Sequence, residues 1–293
     1  AIDECVRNLV CVGADPDRIA ILDNFCWPSC QKPENLGSLV RAAEGCYDGA
    51  KAYRTPFVSG KDSLNNQFTT EDGKTIQIPP TLLITGIGIV PDINAAVSSD
   101  AKRAGSVLVL LSHASHHAHA PAPLGASRYA ELFGVSAGEG STATPTVDLE
   151  SGPRAARLVA GLISERLIRA AHDVSDGGVL VAIAEMLIGA HPKASPGAHA
   201  DSFGPDEPIG AELTHAPAPG SLASFAFNES ASRYLIEVDL MHVTRVAELA
   251  TEIGYAATQL GVLDRSGTLR WPHADLEVPV ESLVQAWRGT LDW

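Results

Sequence analysis

The sequence predicts an α/β protein of the α+β type, built as two domains in tandem. Three observations point there. Apolar runs of strand length alternate with stretches of helical apolar spacing, a pattern that layers helices on sheets. A length of 293 residues corresponds to about two domains of roughly 150 residues each. Between Pro91 and Gly105 the pattern turns polar and alanine-rich, as at a domain boundary. The expected domains span residues 1–98 and 104–293.

Composition narrows the class. With 45% hydrophobic and 19% charged residues, the chain has the make-up of a globular protein with a sizeable core. No apolar run reaches the roughly 18 residues that cross a bilayer, so no membrane partner is expected. The net charge is -14, from 21 Lys and Arg against 35 Asp and Glu. Such a surface repels a phosphate backbone and argues against nucleic acid, while leaving room for a single nucleotide bridged to carboxylates by Mg²⁺. Five cysteines form no disulfide framework, which fits a reducing cytoplasm. Cys26 and Cys30 offer two metal ligands only, too few for a structural zinc site.

The elements are expected as follows. Ile2, Cys5, Val6, Leu9 and Val10 space a helix that Gly13 can end. Ala1 stands directly inside that pattern with no room for a cap, so upstream sequence is expected. Ile19–Leu22 reads as a buried strand stopping at Asp23, followed by turn residues from Asn24 to Asn35. A helix covers about Leu36–Tyr53, Asp72-Gly73 marks a hairpin, and Thr81–Val90 is a β-type run. In the second domain, strands are expected at Val107–Leu111, from Ala170, over Phe225–Val238 and at Gln259–Leu263. Helices are expected at about Ser127–Phe133, Pro153–Ile168, Val179–Ile188 and Val243–Ile253. Ala190–Pro219, rich in Pro, Gly, Ala and His, reads as a long surface excursion. Neither a Gly-rich dinucleotide fingerprint nor a P-loop is present.

Five places could carry chemistry. Glu4 and Asn8 lie one helical turn apart on the polar face, either as solvated side chains or as oxygen ligands for Mg²⁺. Asp23 ends an apolar run, where a carboxylate is either a ligand or a turn residue. Gly60-Lys61-Asp62-Ser63 combines close backbone approach, a phosphate-binding charge and hydrogen-bonding groups, although an ordinary polar turn has the same composition. His172-Asp173-Val174-Ser175-Asp176-Gly177-Gly178 precedes an apolar helix. It could hold Mg²⁺ and phosphate oxygens, while capping accounts for one or two of its residues. His113, His116, His117 and His119 form a compositional cluster in an Ala/Pro-rich stretch.

Taken together and in order, these segments resemble the second half of phosphoribosylformylglycinamidine synthase, the amidotransferase of purine biosynthesis. The resemblance rests on Glu4-Cys5-Val6-Arg7-Asn8 with Val12-Gly13-Ala14, the Asp23–Glu34 stretch, and Gly60-Lys61-Asp62-Ser63. It continues through Leu124-Gly125-Ala126-Ser127, His172–Gly178, Asn228-Glu229-Ser230 with Ser232-Arg233, and the closing Ala286-Trp287. It implies tandem A and B domains of the aminoimidazole ribonucleotide synthetase-like fold, the A domain lacking its first strands. The implied reaction joins formylglycinamide ribonucleotide, ATP and glutamine-derived ammonia into the amidine, with ADP, phosphate and glutamate released. The implied partners are the first half of the same enzyme and a glutaminase subunit or domain.

By position, the resemblance gives Asp23 and Gly60 to the catalytic ATP, Lys61 to a phosphate contact and Ser63 to the substrate. It gives Glu4, Asn8 and Asp173 to Mg²⁺, and Ser175 to the nucleotide, at a second, non-catalytic ATP/ADP site. The family's catalytic histidines belong to the first half, so no catalytic residue is assigned here, and His172 does not replace them. Two other readings stand beside this one: a structural nucleotide-holding module, and a small-molecule kinase or synthetase of the same superfamily. The sequence upstream discriminates, since a preceding A–B repeat supports the ligase.

Overall fold

A central helix and two sheets arise from the apolar patterns along the chain. The computed structural model describes residues 1–113, 122–135, 142–191 and 208–289. Helix α1 (Ile2–Val10) buries Ile2, Val6 and Val10, with Cys5 and Leu9 half-buried beside them. The chain leaves it through Gly13, whose φ of +96° favours glycine. Strand β1 (Ile19–Cys26) follows, then α2 (Pro33–Tyr53), which starts with proline at its first turn and ends at Arg54 in the left-handed region. Strands β2 (Phe57–Ser63), β3 (Gln67–Thr69), β4 (Thr75–Gln77) and β5 (Thr81–Gly88) complete this half, with β3 and β4 forming the hairpin at Asp72-Gly73. The first sheet has the order β2-β1-β5, parallel on one side of β1 and antiparallel on the other.

Two expectations are corrected here. The first strand does not stop at Asp23, and Gly60–Ser63 is strand rather than loop. Polar residues at Asn24, Lys61 and Ser63 read locally as a turn. Pairing of β1 with strands on both sides satisfies its backbone and carries it through to Cys26.

The second half contains β6 (Val107–His113), α3 (Arg128–Phe133), α4 (Ser151–Ser164), β7 (Ile168–Asp173) and α5 (Gly178–Gly189). It continues with β8 (Gly210–Leu213), α6 (Leu222–Phe227), β9 (Tyr234–Val238) and α7 (Val243–Glu252). Last come β10 (Tyr255–Asp264), β11 (Thr268–Trp271), β12 (Leu276–Pro279) and α8 (Val280–Gly289), which holds Ala286 and Trp287. Their sheet runs β12-β11-β8-β10-β6-β9-β7. Three expectations differ from this. The 190–219 excursion contains β8, clamped between β10 and β11; its residues 192–207 lie outside the described residues. Phe225 belongs to helix α6, because its aromatic run packs against α5 rather than pairing with a strand. Helix α4 ends at Ser164, and Ile168 already begins β7.

Both faces of this sheet are covered. Val107, Val109 and Leu111 point to a core shared with α1, α4 and α7, while Leu108 and Leu110 point to a second core under α5 and α8. Alternate residues of one apolar run thus serve two cores, as in a strand buried on both sides. Helix α1 joins the halves, because it packs on β5, α2, α4 and β7. The connecting stretch is held by Glu237, a fully buried carboxylate that accepts the backbone N–H groups of Lys102 (2.6 Å) and Arg103 (3.0 Å). Among the described residues no helix is long and apolar enough to cross a membrane.

Candidate functional site

The residues singled out fall into two groups on different elements. The first lies across β1 and β2. Their parallel register sets Asp23 beside Gly60, Asn24 beside Lys61 and Cys26 beside Ser63. Asp23 and Gly60 share the face turned toward α2. A Cβ on Gly60 would lie 1.9 Å from Asp23 Oδ1, so only glycine accepts this carboxylate in its present place. On α2, burial and then the Asp23 charge push the Cys46 thiol upward, which sets Asp23 on the helix side. Lys61 and Ser63 lie on the opposite, open face, where the Lys61 ammonium donates to Ser63 Oγ. The four residues expected together are therefore neighbours at one end of the sheet but divided between its two faces.

The second group lies where α1 meets the end of β7. Asn8 Nδ2 donates to Asp173 Oδ2 at 3.3 Å, joining positions 165 residues apart. Glu4 sits one turn earlier on the exposed side of α1. Asp173 itself is buried, and His172 Nδ1 lies 3.7 Å from its other oxygen. Ser175 is half-buried in the turn that leads into α5, and its carbonyl accepts the N–H of Gly178 at 3.0 Å. Gly177 and Gly178 both have positive φ in that turn, and a Cβ on Gly178 would strike the backbone of residues 226–228.

The motifs without an assigned role converge here as well. Glu229 Oε1 accepts the N–H groups of Gly177 and Arg128, each at 2.8 Å. One carboxylate thus ties the Asp173–Gly178 loop to Arg128, the first residue of α3, and to the Asn228-Glu229-Ser230 segment.

Behind this junction lie buried polar groups that the apolar periodicity of α1 does not mark. Asp3 and Arg7 are 4% exposed each and pair through Arg7 Nε and Asp3 Oδ2 at 2.7 Å. Arg7 Nη1 donates to the Val174 carbonyl at 2.7 Å and lies 3.5 Å from Asp173 Oδ2. Asp3 also accepts from the hydroxyls of Tyr53 and Ser232, and from Ser232 N at 3.0 Å. Burial opposes the Asp3 charge, yet Arg7, Ser232 and Tyr53 together hold its carboxyl below the usual value. Burial and the Asp3 charge push the Tyr53 hydroxyl far upward, so it stays protonated and donates. The signal was available: opposite charges at i and i+4 lie on the Val6–Val10 side of α1, which is not its solvent side.

Among the described residues no three His, Cys, Asp or Glu side chains gather into a metal cage. His113 ends β6 against the Tyr255 ring, and His116, His117 and His119 lie outside the described residues. A cleft of about 300 Å³ opens between Asp17, Asp92 and Arg157, and none of the residues named for chemistry lines it.

The decisive comparison is with family models. The AIR synthase related protein C-terminal domain matches residues 103–271, more than half of the chain, and the N-terminal domain matches residues 1–90. The chain belongs to the AIR synthase-related family. Among its relatives within this family is phosphoribosylformylglycinamidine synthase subunit PurL of Deinococcus radiodurans, 33% identical over 296 residues. That match covers 99% of this chain and 36% of the relative. PurL of Azorhizobium caulinodans is 34% identical over 261 residues, covering 89% of this chain and 31% of that one. The chain spans about a third of the length of the curated relatives it matches.

Solved structures share the AIR synthase-like fold. Thermotoga maritima PurL complexed with AMPPCP superposes with a TM-score of 0.60 at 17% identity, over 97% of this chain and 40% of that one. A HypE–HypF complex gives 0.60 at 16% identity, over 94% of this chain and 81% of the matched one. At these identities the likeness shows the fold alone.

Proposed function

We propose that this chain is the second A–B half of a phosphoribosylformylglycinamidine synthase, with an A domain over residues 1–98 and a B domain over 104–293. The observation that carries the reading is the similarity to PurL subunits, which runs along 99% of the chain. The reaction turns formylglycinamide ribonucleotide, ATP and ammonia into the amidine, ADP and phosphate. The amide oxygen takes the γ-phosphoryl group of ATP, and ammonia then displaces that oxygen as phosphate. Asp23 and Gly60 hold the ATP, Lys61 steadies its phosphates as a point charge, and Ser63 contacts the ribonucleotide substrate. Lys61 and Ser63 reach their ligands from the open face of the first sheet, so the site is completed by another body, the first half of the enzyme. That half also brings the catalytic residues, and a glutaminase subunit or domain supplies the ammonia.

The Asn8–Asp173 junction serves a second nucleotide, ADP or ATP, that is held and not turned over. Two carboxylates and an amide form a hard oxygen set that suits Mg²⁺, which keeps waters and shares phosphate oxygens. Glu4, Asn8 and Asp173 are its protein ligands and Ser175 contacts the nucleotide. When bound, Mg²⁺ neutralises phosphate charge beside these carboxylates. The purely structural reading of the chain is favoured at this junction alone, because all its named residues come from α1 and the β7–α5 segment of this chain, while the Asp23–Ser63 end stands on a sheet covered on one side.

The test is steady-state kinetics of the full-length protein that carries this chain. Asp23→Ala and Ser63→Ala should each lower turnover about 10²-fold or more with the fold retained. Gly60→Ala should match Asp23→Ala, since its methyl displaces the same carboxylate. Unchanged kinetics in all three would overturn the assignment.

A further inference from the structure

Arg7 lies between Glu4 and Asn8 in sequence but on the buried side of α1. One edge of its guanidinium donates to Asp3 and the other reaches Asp173 and the Val174 carbonyl. Asp3 is in turn fixed from two directions, by Tyr53 at the end of α2 and by Ser232. The segment that Arg7 grips is held from its far side too, since Val174 N donates to the Arg233 carbonyl at 3.1 Å. Ser232 adopts φ +57°, a left-handed conformation uncommon for serine, with its N–H aimed at Asp3. A guanidinium forked between a carboxylate and a carboxylate–carbonyl pair is a rigid fitting that lysine, a flexible point charge, does not reproduce.

We infer that Arg7 is a positioning residue for the Asp173 junction: braced by Asp3, it fixes the orientation in which Asp173 meets Asn8, and so sets how well that pair takes a nucleotide-bound divalent cation. The inference rests on the reading of Asp173 as an Mg²⁺ ligand. Two effects of opposite sign act here. The positive charge of Arg7 repels a cation, while its fork holds the ligand in place. Asp3 decides between them, because the buried Asp3–Arg7 pair is neutral as a unit. Removing the pair together therefore changes geometry and leaves net charge unchanged.

The experiment uses the full-length protein carrying this chain, with Mg²⁺-ADP as the probe. Calorimetric affinity and thermal midpoints with and without the probe are measured for wild type, Asp3→Asn/Arg7→Met, Arg7→Lys and Asp173→Ala. The double variant should bind about 10–100-fold more weakly, the range seen when partners behind a metal ligand are lost. Arg7→Lys should fall between it and wild type. Asp173→Ala should lose the probe-dependent rise in midpoint. A merely structural role lowers the probe-free midpoint and leaves affinity alone. Wild-type or tighter affinity in the double variant and in Arg7→Lys, beside a loss in Asp173→Ala, would overturn the inference. If the double variant does not fold, Arg7→Lys decides by the same criterion. Wild-type binding by Asp173→Ala would instead remove the ligand reading, and the inference with it.

Discussion

The two sheets are made of similar residues and differ in what covers them. In the seven-stranded sheet, β6 is buried from Val107 to Ser112 and β9 along all five residues. In the three-stranded sheet, β5 alternates, with Leu83 and Ile87 about 60% exposed on the face away from the helices. Across that open face, register puts Lys61, Asn24 and Leu83 in one row and Ser63, Cys26 and Thr81 in the next. The helix-facing rows are finished within the chain: Gly86 and Gly88 lack side chains where Cys5, Leu9 and Ala14 pack against them. Asp173 is thus buried at the end of a sheet covered on both faces, with Glu4 and Asn8 on the exposed side of α1 beside it, while cover is one-sided at the Asp23–Ser63 end. Leu83 and Ile87 are apolar strand residues left open beside the proposed site residues, as expected if the first half of the proposed enzyme docks there. The residues of one candidate site come together from α1 and β7 of this chain, and those of the other stand on two faces of a sheet covered on one side.

Paired truncations sharpen this contrast. Leu110→Ala, in the core under α5, should cost about 2–5 kcal/mol in urea unfolding of this chain, through lost burial and a cavity. Leu83→Ala removes the same atoms from an exposed position and should stay within about 0.5 kcal/mol. Equal costs would break the distinction between a closed and an open sheet.

A smaller effect comes from the rim of the closed sheet. Arg169 donates to both Asp239 oxygens, at 2.7 and 2.6 Å, and this hydrogen bonding holds the Asp239 carboxyl below its ordinary value. A carboxylate with a depressed folded pKa stabilises above its unfolded pKa, and that contribution fades as pH falls through the folded value. Asp239→Asn should therefore lower the unfolding free energy in urea at pH 7 by less than about 1 kcal/mol for a partly exposed pair. The gap from wild type should narrow at pH 3. A gap that is constant with pH would contradict the ion-pair account.

The sequence was readable where pattern and environment agree. The unbroken apolar runs of β5 and β6, the periodic face of α1 and the Asp72-Gly73 turn need only local information. On α2 the spacing of Leu36, Leu39, Val40, Ala43, Tyr47 and Ala50 points to the wrong face: Leu36, Val40 and Tyr47 are exposed, and the helix buries Cys46, Gly49 and Tyr53 instead. The second half of β1 and all of β2 were hidden because their outward residues are polar and only pairing makes them strands. Strand β8 was masked by the Pro/Gly-rich stretch before it, and α6 by an aromatic run that suits either state. At the junction, Asn8 meets Asp173, and Glu4 lies one turn away on the exposed side of the same helix. The Asp3–Arg7 brace was not foreseen, because charged residues on a helix are read as solvated until the packing around them is known. Glu229 stands in a legible motif, but its two backbone partners come from segments about 50 and 100 residues away.

The most direct measurement of the central claim is amidine formation from formylglycinamide ribonucleotide, ATP and ammonia. It is run with this chain alone and with the chain joined to the first half that the proposed function requires. Because the open sheet carries Lys61 and Ser63, the account predicts no product above a protein-free blank from the chain alone and steady turnover from the joined protein. Turnover by the chain alone, or none from a folded joined protein, would contradict it.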